Sequence, residues 1–151
     1  MRRILVSMVL GALCCAVQAA PLPYDESANA SADLQQALLA AQANHDHVLV
    51  VFGANWCPDC RELDKALKGR SQALLAGKFQ VVKVDVGRFD KNLDVANEYG
   101  NPIRMGIPAV VVLTPDNKIV YSSKGGELAN ARKMGDTGIY DFLSSHVLTS
   151  H

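Results

Sequence analysis

Net charge is the first thing missing from this sequence: 15 lysines and arginines balance 15 aspartates and glutamates over 151 residues. No basic run or stripe interrupts that balance, which excludes a protein that holds nucleic acid through its phosphates. Cysteine is nearly as scarce. Of the four, Cys14 and Cys15 fall in the first apolar stretch, which leaves Cys57 and Cys60 for the body of the chain. Exported domains that depend on disulfides carry several well-separated pairs. A pair with two residues between closes too short a loop to constrain the unfolded chain much. Cys57 and Cys60 therefore read as a reactive pair rather than a staple. Aromatic residues make up only 6% of the chain, and its one tryptophan, Trp56, stands directly before Cys57. Internal repeats and low-complexity segments are also lacking, and the length allows one domain.

Long apolar runs are missing as well, apart from residues 4–17. That stretch is shorter than the roughly 20 residues a membrane-spanning helix needs. Met1-Arg2-Arg3 precedes it and Val17-Gln18-Ala19 follows it, the order of charge, apolar stretch and small-residue site found in secretory signals. Leu13 and Cys14 stand where a lipoprotein signal wants small residues, so a signal peptide over 1–19, cleaved after Ala19, is expected. Export to the periplasm or an equivalent compartment follows. Loss of Arg2 and Arg3 leaves the mature chain slightly acidic.

Residues 20–30 are polar and contain proline, and they read as a flexible leader to a domain over 31–151. Ser31 or Asp33 caps an expected helix to Asn44, with Leu34, Leu38 and Leu39 on one face. Val48-Leu49-Val50-Val51-Phe52 is a continuous apolar run, the mark of a strand buried on both faces. A turn then delivers Trp56-Cys57-Pro58-Asp59-Cys60, and a helix is expected over 61–68. Further along, the pattern predicts a short helical piece over 71–76, a strand over 79–86 and a helix over 90–99 closed by Gly100. Strands over 109–113 and 118–122 flank a turn, and a last helix starts near Asp136 or Thr137. Residues 123–136 read as a solvated link. The fold class is α/β: a central mixed sheet of about four strands, flanked by helices on both faces.

The chemistry lies in the spacing of the cysteines. A thiolate, not a thiol, attacks a disulfide sulfur. A strand and a tight turn leading into a helix place Cys57 at the helix N-terminus, where unpaired N–H groups and the macrodipole favour negative charge. Cys60 lies one turn further on, within reach of a mixed disulfide on Cys57. Pro58 suits the first turn, where a missing N–H costs nothing. Asp59 suits a helix N-terminus but opposes a second anion at Cys57, which tilts the pair toward reduction of substrates rather than oxidation. Trp56 reads as a shield and substrate contact, with core packing as its alternative. A zinc site would need two more ligands at fixed spacing. Its candidates, His45, His47, His146 and His151, are expected far from the pair, so no stable metal is expected. Two thiolates also suit Cu(I), and a Cu(I) carrier stays open as an alternative function.

Trp56-Cys57-Pro58-Asp59-Cys60 resembles the active-site motif of the thioredoxin superfamily, and Gly106-Ile107-Pro108 resembles the segment that holds the family's cis-proline. Followed by basic Arg61, the first motif is similar to that of exported members, including the C-terminal domain of the bacterial thiol:disulfide interchange protein. The resemblance runs from about Asp33 to Val147 and implies a thioredoxin-like fold, with Pro108 cis and facing Cys57. It implies a protein-disulfide oxidoreductase with Cys57 as nucleophile and Cys60 as resolving thiol. Trp56, Pro58, Ile107 and Pro108 would form the substrate surface. No bound cofactor is implied beyond the cysteine pair, since electrons come from a partner dithiol, which among exported members is membrane-bound. An oxidase would run the same residues in reverse. Two departures stand out. The family's buried aspartate, six residues before the first cysteine, is Val51 here, so proton transfer from Cys60 falls to water, Asp59 or Glu62. The active-site helix also lacks the family's kinking proline.

Overall fold

The apolar run at 48–52 becomes the centre of a sheet because neither of its faces reaches water. In a computed structural model that describes residues 21–150, it forms most of β1 (His47–Gly53). The expected signal peptide over 1–19 lies outside the described residues. β1 pairs in parallel with β2 (Phe79–Asp85) and antiparallel with β3 (Ala109–Leu113), which in turn pairs antiparallel with β4 (Ile119–Ser122). The order β2-β1-β3-β4 makes a four-stranded mixed sheet.

Alternation along β1 divides the core into two layers. Val48, Val50 and Phe52 pack with Leu34 and Ala41 of α1 (Ala30–Asn44), and with Val95 and Ala96 of α4 (Leu93–Glu98). Leu49 and Val51 face the other way, onto Leu63, Ala66 and Leu67 of α2 (Pro58–Lys68) and Ile139 and Phe142 of α5 (Ala131–Phe142). Each fully buried valine or leucine contributes about 1.5–3 kcal/mol relative to exposure. A charged residue at any of these β1 positions would therefore unseat the layer it faces. Val51 belongs to this core, so a carboxylate at its position would have to replace that packing.

Several boundaries differ from the expectations. Asn29 rather than Ser31 or Asp33 caps α1, its side chain accepting the N–H of Ala32 at 3.1 Å. The short helix α3 is Gln72–Leu75. The helix expected over 90–99 begins only at Leu93, because Phe89 (φ 64°) and Asn92 (φ 50°) adopt left-handed conformations. The carbonyl of Val86 collects the N–H groups of Phe89, Asp90 and Lys91 there, so the chain folds into a tight turn before it can wind.

Residues expected to be a flexible leader are instead tied down at Tyr24, which is 3% exposed. Nor is the 123–136 link merely solvated. Leu128 and Ala131 are buried in the layer of α2 and α5, and α5 starts at Ala131. Gly135 (φ 64°, ψ 179°) breaks α5 into a first turn and the longer helix that the sequence pattern shows.

Candidate active site at Cys57 and Cys60

β1 ends at Gly53, and the chain turns so that the N–H of Cys57 bonds to the carbonyl of Ala54 at 3.1 Å. Cys57 is the N-cap of α2, with extended backbone (φ −82°, ψ 114°) and Pro58 in the first turn. Its sulfur accepts the N–H of Cys60 at 3.2 Å, as a capping oxygen would. Across the site, the Cys57 thiol lies 3.7 Å from the carbonyl oxygen of Ile107, whose peptide bond to Pro108 is cis. The two motifs, 50 residues apart, thus meet.

The two thiols are both buried but electrostatically unlike. Cys57 is brought down to about 7 chiefly by the hydrogen bond from the Cys60 side chain, with the N–H groups of Cys60 and Asp59 adding to it against the opposing effects of burial and the Asp59 charge. Cys60 is pushed well up by its bond to Cys57 and by burial. The Cys57 thiol is thus the more acidic of the two, and Cys60 holds its proton more tightly.

Trp56 is 47% exposed, its indole N–H donating to the carbonyl of Gly87 at 2.7 Å. Its ring meets Phe89 edge-on at 6.4 Å, and the Arg88 guanidinium lies 5.9 Å from the ring centre. Pro58 is exposed beside it, and Met105 is exposed across the cysteines on the cis-proline side. Ile107 and Pro108 are themselves buried, so the 107–108 segment presents backbone rather than side chains beside Cys57. A concavity of about 960 Å³ lies between α1 and the edge strand β2 and is lined by residues such as Ala37, Leu67 and Val81. It holds neither cysteine.

The carboxylates near the pair are differently engaged. Asp59 accepts the backbone N–H of Arg132 at 2.9 Å and pairs with its guanidinium at 3.3 Å. Burial alone would raise its pKa, but these bonds outweigh that and lower it. The 123–136 segment thus sets a counter-charge beside the carboxylate that opposes the thiolate. Glu62 faces along the helix to Lys65 at 3.9 Å. Asp64 binds Lys83 and, at 2.9 Å, Lys68. Asp85, at the end of β2, is 5% exposed, and its Oδ2 makes no hydrogen bond, although Lys91 stands 3.5 Å away.

Sequence reasoning missed Tyr24. Its N–H donates to Asn55 Oδ1 at 3.0 Å, and the Asn55 amide returns a bond to the Tyr24 carbonyl at 2.8 Å. Its ring fills the space that a side chain on Gly53 would occupy: a Cβ there would lie 2.5 Å from Tyr24 Cζ and 3.0 Å from Cys60 Sγ. No periodicity marks this residue; only the small Gly53 before the motif hints that something fills the gap. Among the described residues, no set of three or more His, Cys, Asp or Glu side chains is gathered to hold a metal.

Known proteins align with this arrangement. A crystal structure titled as a disulphide isomerase from Xylella fastidiosa Temecula1 is 57% identical, covers 83% of this chain and 97% of its own, and superposes with a TM-score of 0.80. The reduced DsbD C-terminal domain of Neisseria meningitidis is 26% identical over 61% of this chain and 81% of its own, with a TM-score of 0.46. Among curated proteins, "Probable nucleoredoxin 3" of Oryza sativa subsp. japonica is 31% identical over 88 residues, covering 45% of this chain and 19% of that protein. The chain thus spans about a fifth of the length of that curated relative. The sequence profile of the thioredoxin-like family matches residues 29–115, across both motifs and strands β1 to β3, and the chain belongs to that family.

Proposed function

We propose that this protein is a thiol–disulfide oxidoreductase of the cell envelope that reduces disulfides in other proteins. The Cys57 thiolate attacks a substrate disulfide and forms a mixed disulfide, releasing one substrate thiolate. Cys60 then attacks Cys57 Sγ, the second substrate thiolate leaves, and the Cys57–Cys60 disulfide holds the oxidation until a partner dithiol reduces it. Each cycle moves two electrons. An extended substrate chain would pair with the backbone at Ile107 while its side chains rest on Trp56 and Pro58. Export through the 1–19 signal and a membrane-bound donor of electrons complete the scheme.

The observation that carries this reading is the Cys57 thiol, capping α2 opposite the Ile107 carbonyl with a pKa of about 7. Thiols of strong oxidants lie far lower, near 3.5, whereas thioredoxin's is near 7. The relative from Xylella, with its disulphide isomerase title, supports exchange on protein disulfides.

The test is equilibration of the protein in glutathione and dithiothreitol buffers, with the Cys57–Cys60 disulfide counted by mass spectrometry. A potential of about −270 mV is expected for a reductase. A value of about −120 mV would reverse the direction, and no reversible disulfide at all would move Cu(I) carriage to first place.

A further inference from the structure

Resolution of the mixed disulfide poses a proton problem. Cys60 is 0% exposed, so solvent cannot take its proton directly. Of the carboxylates described above, Glu62 faces Lys65, Asp59 is held by Arg132, and Asp64 by Lys83 and Lys68. Asp85 differs: it is buried, and its Oδ2, though 3.5 Å from Lys91, accepts no hydrogen bond, whereas Asp59 and Asp64 both do. β1 and β2 pair Gly53 with Asp85, and residues paired across a sheet point to the same face. The Asp85 side chain therefore shares the face on which Tyr24 and Cys60 converge over Gly53. The distances around that glycine place the Tyr24 hydroxyl within about 5 Å of Cys60 Sγ. Asn55, in the turn that carries the motif, holds the Tyr24 backbone by two hydrogen bonds, so the ring is fixed to the active site.

We propose that Tyr24 relays the proton of Cys60 to Asp85 as Cys60 displaces the substrate from Cys57. This rests on the exchange reaction proposed above. The Cys60 thiol gives its proton to Tyr24 Oη, and the tyrosine gives its own hydroxyl proton to Asp85 Oδ2. The electron pair left on Cys60 Sγ forms the bond to Cys57 Sγ. The bond from Cys57 to the substrate sulfur breaks, and that sulfur departs as a thiolate. Tyr24 emerges unchanged. Burial, followed by the charges of Cys60, Cys57, Asp64 and Asp85, keeps the tyrosine protonated, as a relay requires. The cations facing this cluster are Lys83 and Lys68 on Asp64 and Lys91 on Asp85.

The experiment mixes the reduced protein rapidly with oxidised glutathione, quenches with acid and follows the Cys57–glutathione adduct by mass spectrometry from pH 6 to 9. In the unmodified protein, adduct decay varies little with pH. Tyr24→Phe removes only the hydroxyl. It should slow decay by about a hundredfold at pH 6, the low end of general acid–base effects, and make decay rise about tenfold per pH unit as hydroxide takes over. Adduct formation at Cys57 should change less than about twofold. Asp85→Asn should give the same pH slope, and it carries the test if Tyr24→Phe does not fold. Unchanged decay in the folded variants overturns the relay. So does an equal slowing at every pH, which would show a packing role alone. If the unmodified protein forms no Cys57–Cys60 disulfide, the proposed exchange reaction itself fails.

Discussion

Replacing Gly53 by alanine puts one methyl group into occupied space. Gly53 is outside the left-handed region, so its backbone accepts alanine without strain. The conflict is purely one of volume, since the new carbon would lie 2.5 Å from Tyr24 Cζ and 3.0 Å from Cys60 Sγ. Two responses are open. The ring and helix α2 can shift, at the 1–3 kcal/mol typical of overpacking, roughly. Alternatively Tyr24 can leave its seat, which costs about what deleting a buried aromatic costs, ~3–5 kcal/mol. That second figure is a ceiling, because the chain takes the cheaper route. Gly53→Ala should therefore destabilise by about 1–3 kcal/mol, read from urea midpoints at constant slope. In a Tyr24→Ala background the same methyl group meets only Cys60 Sγ at 3.0 Å, which relaxes by giving a few tenths of an ångström into the space the ring left. It should then be neutral, or stabilise by about 0.4–1 kcal/mol through the reduced freedom of the unfolded chain. A double-mutant cycle measures the difference. Additive costs would show that Tyr24 does not sit over Gly53 and would refute the reasoning.

Other consequences can be checked as directly. Alkylation of Cys57 by iodoacetamide, read at that site by mass spectrometry, should follow an ionisation with midpoint about 7. Because that value lies below the ordinary thiol value of 9.0, Cys57 stabilises the reduced fold fully above pH 9 and loses that contribution as pH falls through 7. The stability difference between the reduced protein and Cys57→Ser should accordingly widen from pH 6 to 9; a constant difference would contradict it. Asp59→Asn should lower the alkylation midpoint and Arg132→Ala raise it, each on the order of half a unit, since the guanidinium reaches water; shifts of the same sign would refute the pairing. Asp64→Ala leaves Lys83 without its partner and should cost about 1–3 kcal/mol. Burial alone would raise the Asp64 pKa, but Lys83 and Lys68 lower it below 3.8. Its contribution is thus present at neutral pH and lost as pH falls through that depressed value, and urea midpoints from pH 7 to 2 should show the gap closing.

The parts of this molecule readable from sequence are those in which neighbours along the chain do the work. The run at 48–52 announces a strand buried on both faces, and its two layers follow from alternation. Cys57 and Cys60 share one helical turn, so their spacing shows which sulfur caps α2. Gly106-Ile107-Pro108 was readable only through family likeness. The groups that tune the site escape sequence patterns because distant segments bring them in. Tyr24 reaches Asn55 across 31 positions, and Arg132 reaches Asp59 across 73. Neither contact leaves a periodic trace. Asp85 shares its side of β2 with Val81 and Lys83, neither of them buried, so alternation along the strand gives no hint that it is only 5% exposed. The shortened start of α4 has another cause: left-handed residues at 89 and 92 depend on one carbonyl collecting three amides, which local propensity does not register.

The clamp between Asn55 and Tyr24 also bears on where this protein can be cut. The family profile begins at residue 29, and α1 at Ala30, so a boundary drawn from homology or from secondary structure would discard Tyr24. Such a fragment keeps every strand and both cysteines. It would nevertheless open a void against Cys60 and leave the Asn55 amide without its partner. The unit that folds as a sheet is therefore shorter than the unit that encloses the chemistry, and a truncation that looks conservative on an alignment would strip a wall from the redox centre.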